Sequence, residues 1–146
     1  GEIYDPLGGQ QDIKNNILYK KELWEQNPCN PNYWLDFNEA TPNNDGTFTI
    51  VCRPVKIPYV NIIEMFCDFI GAGQSYEKEK WTCETPWNYW QNKCEGKRAM
   101  HPESEYLFKK LLWNLKIDGL DQFLNWYNES KSFLEELYNK GKIFEV

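Results

Sequence analysis

Two carboxylates, Glu64 and Asp68, interrupt the otherwise apolar stretch of residues 62–70. A spacing of four residues places both on one face of a helix. A buried charge is costly unless it meets a counter-charge, a metal ion or strong hydrogen-bond donors, so we expect a buried polar patch here. In one interpretation Asp68 is a ligand or an acid/base group. In the simpler interpretation the pair forms a salt bridge with a nearby cation, Arg53, Lys56 or Arg98.

His101 is the single histidine of the chain, so a metal site with several histidine ligands cannot be formed. It stands directly before Pro102 and Glu103, a pattern typical of the first turn of a helix. An imidazole at this position can accept a backbone N–H that has no partner within the helix. The alternative is that His101 acts as a general acid or base, which requires a side chain that orients it.

Aromatic side chains are concentrated at Tyr33-Trp34 and at residues 87–90. Such clusters can stack against a base or a sugar ring. The competing interpretation is that they belong to the hydrophobic core. We place the candidate ligand-binding groove, which would be aromatic and acidic, at Trp34, Asp68 and Trp90.

Five cysteines occur at positions 29, 52, 67, 83 and 94, without a C-x-x-C pair. The odd number and the scattered spacing are typical neither of a secreted disulfide framework nor of a zinc finger. We therefore predict reduced cysteines and a cytoplasmic protein. Cys67 is expected to be a small core residue, since no activating base marks it as a nucleophile.

Length and composition predict a single folded domain over residues 1–146, with 41% hydrophobic and 16% aromatic residues. The excess of 22 acidic over 16 basic residues gives a net charge of -6, which disfavours a nucleic-acid duplex as partner. No apolar run reaches the roughly 18 to 20 residues of a membrane span. The chain also contains neither a phosphate-binding glycine loop nor a G-x-S-x-G nucleophile motif.

Apolar spacing and capping residues predict helices at about residues 12–26, 58–70, 85–95, 102–118 and 120–140. Apolar residues nearly encircle the second of these, so we expect it to be the central buried helix. Gly71 and Gly73 are expected to end it.

Non-helical structure is predicted in the first half of the chain. An aromatic helical turn is expected over residues 30–37, and turn residues at 41–46 precede a strand at 47–51. A hairpin would close this strand against residues 55–57. The predicted fold is thus mostly α, an orthogonal helical bundle with one short β-hairpin or strand excursion.

Three blocks of sequence, in a shared order, resemble an uncharacterised family of bacterial and phage domains that is sometimes labelled catalase. Residues 27–36 (N-P-C-N-P-N-Y-W-L-D) are similar to its N-x-H-H-P-x-Y-W segment. Residues 57–76 are similar to its M-P-Y…E-M-x-C-D-W-x-A-A-G…Y signature. Residues 100–104 (M-H-P-E-S) are similar to its L-H-P-E-T.

That family in turn resembles metal-dependent HD phosphohydrolases, which carry a His-Asp pair, a His-His pair and a later helical aspartate. The resemblance implies an HD-like bundle with Asp68 as the late aspartate. Cys29 and Asn30 stand where the two histidines would be, and the chain has no His-Asp pair. A divalent site that lacks most of these ligands should bind metal weakly, so we expect no tight metal site.

Two hypotheses for the function result. The first is a divergent, non-catalytic domain that needs no cofactor and binds a protein or a small ligand in the groove at Trp34, Asp68 and Trp90. The alternative is a magnesium- or manganese-dependent phosphohydrolase that acts on a nucleotide or a related phosphoester, with Asp68 as a ligand and Glu64 or His101 assisting. The missing histidines favour the first hypothesis.

Overall fold

The computed structural model describes residues 35–97 and 100–146, which are mostly helical. The helix predicted at 12–26, the block at 27–34 with Trp34 and Cys29, and Arg98 all lie outside this part of the chain. Within it, no helix is both long enough and apolar enough to cross a membrane.

The first described elements are two antiparallel strands, β1 (Leu35–Pro42) and β2 (Phe48–Pro54). The turn between them is held by Asp45, whose Oδ1 accepts the Thr47 amide at 3.0 Å and the Thr47 hydroxyl at 2.6 Å. Gly46 adopts a φ of 85°, a conformation that glycine reaches without steric cost. The predicted turn chemistry therefore connects β2 to the strand before it.

Two predictions for this region are wrong. The strand predicted at 47–51 does not pair with residues 55–57, which lie between Pro54 and Pro58 without regular structure. Neither proline can donate a backbone hydrogen bond. The helical turn predicted over 30–37 fails at its described end, because residues 35–37 pair with residues 52–54 as part of β1.

Helix α1 (Tyr59–Glu77) begins directly after Pro58 but continues through Gly71 and Gly73, so the prediction that these glycines end it is wrong. At Gly73 the missing side chain accommodates Trp81, since a Cβ atom there would lie 3.3 Å from the indole Nε1. Close packing thus explains a glycine that helix propensity alone disfavours.

The central helix is α3 (Pro102–Asp118) rather than α1, which corrects the prediction from apolar content. Helix α3 packs against α1, against the short α2 (Thr85–Tyr89) and against α4 (Leu120–Asn139). Helix α1 exposes Glu64, Cys67 and Asp68 on one side, because their spacing of three and four residues gathers them on a single face. The buried residues of α3 are Ser104, Leu107, Phe108, Leu111, Leu112 and Leu115.

The connections between the helices follow the predicted capping residues. A π-helical turn, Trp90–Cys94, continues α2, and Gly119 separates α3 from α4 with a φ of 79°. After α4, Gly141 adopts a φ of 72° and leads into a 3-10 turn, Ile143–Glu145. Positive φ angles at these glycines end each helix where the next segment must turn back.

Ser104 joins three segments of the core through a closed set of hydrogen bonds. Its Oγ accepts the Ile57 amide at 3.0 Å and lies 2.6 Å from the Tyr138 hydroxyl, which donates to the Ile57 carbonyl at 2.5 Å. Burial raises the pKa of Tyr138 to about 12, so this hydroxyl keeps its proton. Each polar group of this set has a hydrogen-bond partner. These bonds connect the segment at the start of α1 to α3 and α4.

Candidate functional site

Glu64 and Asp68 do not form a buried polar patch, contrary to the prediction. Both are exposed on the outer side of α1, where the Asn61 amide nitrogen lies 3.4 Å from Glu64 Oε2. Of the three cations proposed as partners, Arg53, Lys56 and Arg98, the structure places Lys56 in other contacts. Lys56 Nζ lies 3.3 Å from Glu103 instead and donates to the Tyr138 carbonyl.

His101 begins α3 as a capping residue, which confirms its interpretation as a helix entry. Its Nδ1 accepts the backbone N–H of Glu103 at 3.2 Å, and its Nε2 lies 3.9 Å from a carboxylate oxygen of the same residue. The hydrogen bond to Nδ1 satisfies one of the N–H groups that the first turn of a helix leaves without a partner.

Trp90 belongs to the core and not to a ligand groove, so its predicted role in binding is wrong. It is only 2% exposed, packs 5.2 Å from the Phe108 ring and donates its indole N–H to Glu95 at 2.6 Å. A tryptophan that is enclosed and hydrogen-bonded in this way presents no surface to a ligand. Trp34, the other predicted aromatic contact, lies outside the described residues.

Cys67 is exposed and therefore not the small core residue that the sequence suggests. Desolvation of the thiol, followed by the negative charges of Asp68 and Glu64, raises its pKa. The thiolate is thus disfavoured, which also argues against a nucleophile at this position. Within residues 35–97 and 100–146, no three His, Cys, Asp or Glu side chains are grouped so that they could hold a metal ion.

The outer side of α3 forms one wall of an open groove of about 560 Å³, which we call the tryptophan groove. Pro102, Glu105 and Lys109 contribute to the wall at helical spacing. Other side chains that line it are Trp87, Met100, Tyr106, Lys110, Trp113 and Phe144.

Two aromatic pairs line the tryptophan groove. Trp87 and Trp113 meet edge to face with ring centroids 5.0 Å apart, and Tyr106 and Phe144 do the same at 5.0 Å. Trp113 is 44% exposed and Phe144 is 55% exposed. The groove therefore offers preformed apolar contact surface that the fold itself leaves open to water.

Lysines accompany these rings. Lys109 Nζ lies 6.0 Å from the Trp87 ring centre and forms an ion pair with Glu95 at 2.8 Å. Lys116 Nζ lies 5.3 Å from the Trp113 ring centre. Both distances fall within the range of cation–π attraction.

Glu105 is the acidic residue of the groove wall. Burial, and after it the negative charge of Glu95, raises the pKa of Glu105, while Lys109 opposes the shift. Glu95 behaves in the opposite way, since the hydrogen bond from Lys109 lowers its pKa. The groove therefore disfavours a negative charge on its own carboxyl group.

A second concavity of about 530 Å³ lies between α1 and α2. Phe69, Tyr76 and Tyr89 line it, and Tyr76 is 86% exposed. Glu77 is its charged lining residue, so its chemistry is apolar and weakly acidic. Phe69 and Tyr89 meet edge to face in it with ring centroids 5.6 Å apart, but no lysine lines it, in contrast to the tryptophan groove.

Tyr106, Lys110, Trp113 and Phe144 line the groove although the sequence patterns did not indicate them as site residues. The sequence does contain a helical pattern that marks this side of α3. It has the same three- and four-residue spacing as the buried stripe and comprises positions 102, 105, 106, 109, 110 and 113. This second stripe mixes aromatic and charged residues, so apolar periodicity alone does not select it.

Comparison with known proteins assigns no family to this chain. No family model matches it, and no solved structure matches it. A stretch of 88 residues is 25% identical to the cytochrome P450 monooxygenase aclL of Aspergillus oryzae, which covers 60% of this chain and 17% of that enzyme. The chain thus spans about a sixth of that protein, and the match carries no functional assignment.

Proposed function

We propose that the chain is a non-catalytic binding domain that takes a protein segment or a small ligand in the tryptophan groove. The observation that carries this proposal is the exposure of large aromatic side chains around one concavity, with Trp113 44% and Phe144 55% exposed. Full burial of such a side chain is favourable by roughly 1.5–3 kcal/mol, and a ligand that covers it would gain part of this free energy on binding. Open apolar clusters in a concavity are typical of binding sites.

The proposed site keeps the aromatic and acidic character expected from the sequence but lies at different residues. Trp87 and Trp113 take the place of Trp34 and Trp90, and Glu105 takes the place of Asp68. Under the same proposal the chain is a divergent member of the bacterial and phage family, with an HD-like bundle and a cytoplasmic location. Support for the location comes from Cys67 and Cys83, which are free thiols.

The phosphohydrolase alternative has weaker support. It requires Asp68, Glu64 and His101 to converge on a magnesium or manganese ion. Asp68 and Glu64 lie on the outer side of α1, whereas His101 uses its Nδ1 to cap α3. A hydrolytic centre at these residues would need a different arrangement of both helices.

Fragment binding monitored by nuclear magnetic resonance tests the proposal. Indole and benzoate would be titrated into nitrogen-15-labelled protein, with the tryptophan indole signals assigned by single Trp→Phe variants. We expect shifts at Trp87 and Trp113, an unchanged signal for Trp90, and about tenfold weaker binding in Trp113→Ala, which corresponds to roughly 1.4 kcal/mol. Phe133→Ala is the matched control, since Phe133 is also 55% exposed but lies on α4.

Shifts confined to Tyr76 and Tyr89, or no shifts at all, would refute the tryptophan groove as the site. A parallel assay for phosphate release from a nucleotide panel, with manganese and with magnesium, tests catalysis. We expect no release above the blank. Turnover that is lost in Asp68→Ala would establish the alternative instead.

A further inference from the structure

The tryptophan groove follows one side of α3. Its lining on this helix extends from Pro102 to Trp113. At about 1.5 Å per helical residue, this distance is roughly 16 Å. An extended chain rises about 3.3 Å per residue, so about five residues of an extended peptide would fill the groove.

The ring faces in the groove already meet cations of the same chain. Lys109 lies over Trp87 at 6.0 Å, and Lys116 lies over Trp113 at 5.3 Å. A cationic ligand such as a methylated lysine would therefore meet like charge where it needs an open ring face. The aromatic surface is suited instead to an apolar or aromatic ligand group.

Lys110 is the lysine of the groove wall that is available to an anion. Lys109 is held by Glu95 at 2.8 Å, whereas Lys110 has no ion-pair partner among the described residues. Its ammonium group is carried by a half-buried residue beside aromatic rings, where the attraction to a carboxylate is stronger than in bulk water.

The charge pattern favours a protein segment over a nucleic acid. A single strand carries one phosphate per nucleotide and is bound by a continuous basic track. Here one available lysine shares the groove wall with Glu105, in a chain whose net charge is -6. One carboxylate next to an apolar side chain satisfies this groove, whereas a row of phosphates does not.

We infer that the tryptophan groove binds a short extended peptide segment of a partner protein, in which an Asp or Glu lies beside an aromatic or large aliphatic residue. The carboxylate pairs with Lys110, and the apolar side chain packs against Trp87 and Trp113. This inference rests on the proposed binding function and adds the class of ligand to it.

Selection from a random peptide library displayed on phage tests the inference with a charge reversal. The baits are the full chain, Lys110→Glu, and Lys131→Glu as a control with the same charge change on the exposed surface of α4. We expect the unchanged chain and the control to select peptides that combine an acidic with an aromatic or aliphatic residue. Lys110→Glu should lose this selection or turn it toward Lys and Arg.

The best selected peptide, made synthetically with a fluorescent label, should bind Lys110→Glu at least about tenfold more weakly and the control within about twofold. Circular dichroism verifies that the three proteins are equally folded. Selected peptides without an acidic residue, equal affinity for Lys110→Glu, or no selected peptide would each overturn the inference. Tight binding of a short oligothymidylate instead of acidic peptides would also overturn the inference.

The fragment titration distinguishes failure of the peptide inference from failure of the proposed binding function. If fragments shift Trp87 and Trp113 but no acidic peptide is selected, the groove binds a different class of ligand. If fragments leave both signals unchanged, the proposed function fails together with the inference.

Discussion

Trp90 and Trp113 lie on different sides of α3, and their surroundings differ in every respect that matters for function. Trp90 is 2% exposed, packs against Phe108 and donates its N–H to Glu95. Trp113 is 44% exposed, and its neighbours are Trp87 and a lysine. The comparison shows that abundant tryptophan does not locate a binding site. An enclosed, hydrogen-bonded ring stabilises the fold, whereas an open ring beside a cation is available to a ligand.

Truncation of the two tryptophans to alanine is expected to give the largest difference in the free energy of unfolding. Trp90→Ala should lower the free energy of unfolding by about 3–5 kcal/mol, because it leaves a cavity in the core. Trp113→Ala should lower it by less than about 1 kcal/mol, since half of this side chain is already in water. Urea denaturation of both variants checks the contrast. Similar losses would show that the outer side of α3 is as important for stability as the inner side.

A smaller loss of stability is expected when the hydrogen bonds on the inner side of α3 are broken. Tyr138→Phe removes the hydroxyl that donates to the Ile57 carbonyl and leaves that acceptor buried without it. The cost should be about 1–3 kcal/mol in urea denaturation. Tyr76→Phe is the control, because Tyr76 is 86% exposed and should change stability by less than about 0.5 kcal/mol. Equal effects would argue against a structural role for the Ser104 hydrogen bonds.

The beginning of α3 tests whether His101 is a capping residue or a catalytic one. His101→Ala should cost about 1 kcal/mol, because the Glu103 amide loses its acceptor. His101→Asn should recover most of this loss, since asparagine is a favourable capping residue. Thermal unfolding of the two variants distinguishes them. A capping role is contradicted if Asn and Ala destabilise equally.

The smallest expected effect concerns Glu105 on the outer side of α3. Its folded-state pKa is raised, so the folded protein binds this proton more tightly than the unfolded chain does, and the associated stability is lost as the pH rises through the folded pKa. Glu105→Gln, which imitates the neutral form, should therefore be more stable than the unchanged chain near neutral pH. The gain should vanish below about pH 4.3, the ordinary value for Glu.

Urea denaturation across this pH range measures the difference, with Glu129→Gln on the exposed surface of α4 as the matched control. A constant difference at all pH values, or a loss of stability near neutral pH, would contradict the half-buried position of Glu105. Such a result would also weaken the contrast between the two sides of α3.

The mostly helical class and the bounds of α3 and α4 are confirmed, because local signals agree there with apolar spacing. His101 and Pro102 mark the start of α3, Gly119 separates the helices, and Gly141 follows α4. Each signal acts within a single turn of the chain, so neighbouring sequence is sufficient to specify it. The capping role of His101 could be predicted for the same reason.

Burial could not be predicted in the same way. Trp90 and Trp113 have the same side chain and both lie in helical segments, and only the packing of α3 against its neighbours decides which one is enclosed. Likewise, Gly73 looks like a helix terminator until Trp81 packs against it. The tryptophan groove depends on residues such as Trp87 and Phe144 that are distant in sequence, so it appears only in the folded chain.

The segment after α4 has a practical consequence for anyone who immobilises or tags this protein. Ile143 is buried, Phe144 lines the tryptophan groove, and the Tyr106 hydroxyl donates to the Val146 carbonyl. An affinity tag fused behind Val146 therefore leaves the protein beside the groove, at an effective concentration that can reach the millimolar range. An acidic epitope tag in this position would compete with added peptides and mask their binding. A cleavable tag, removed before the assay, avoids this self-occupation.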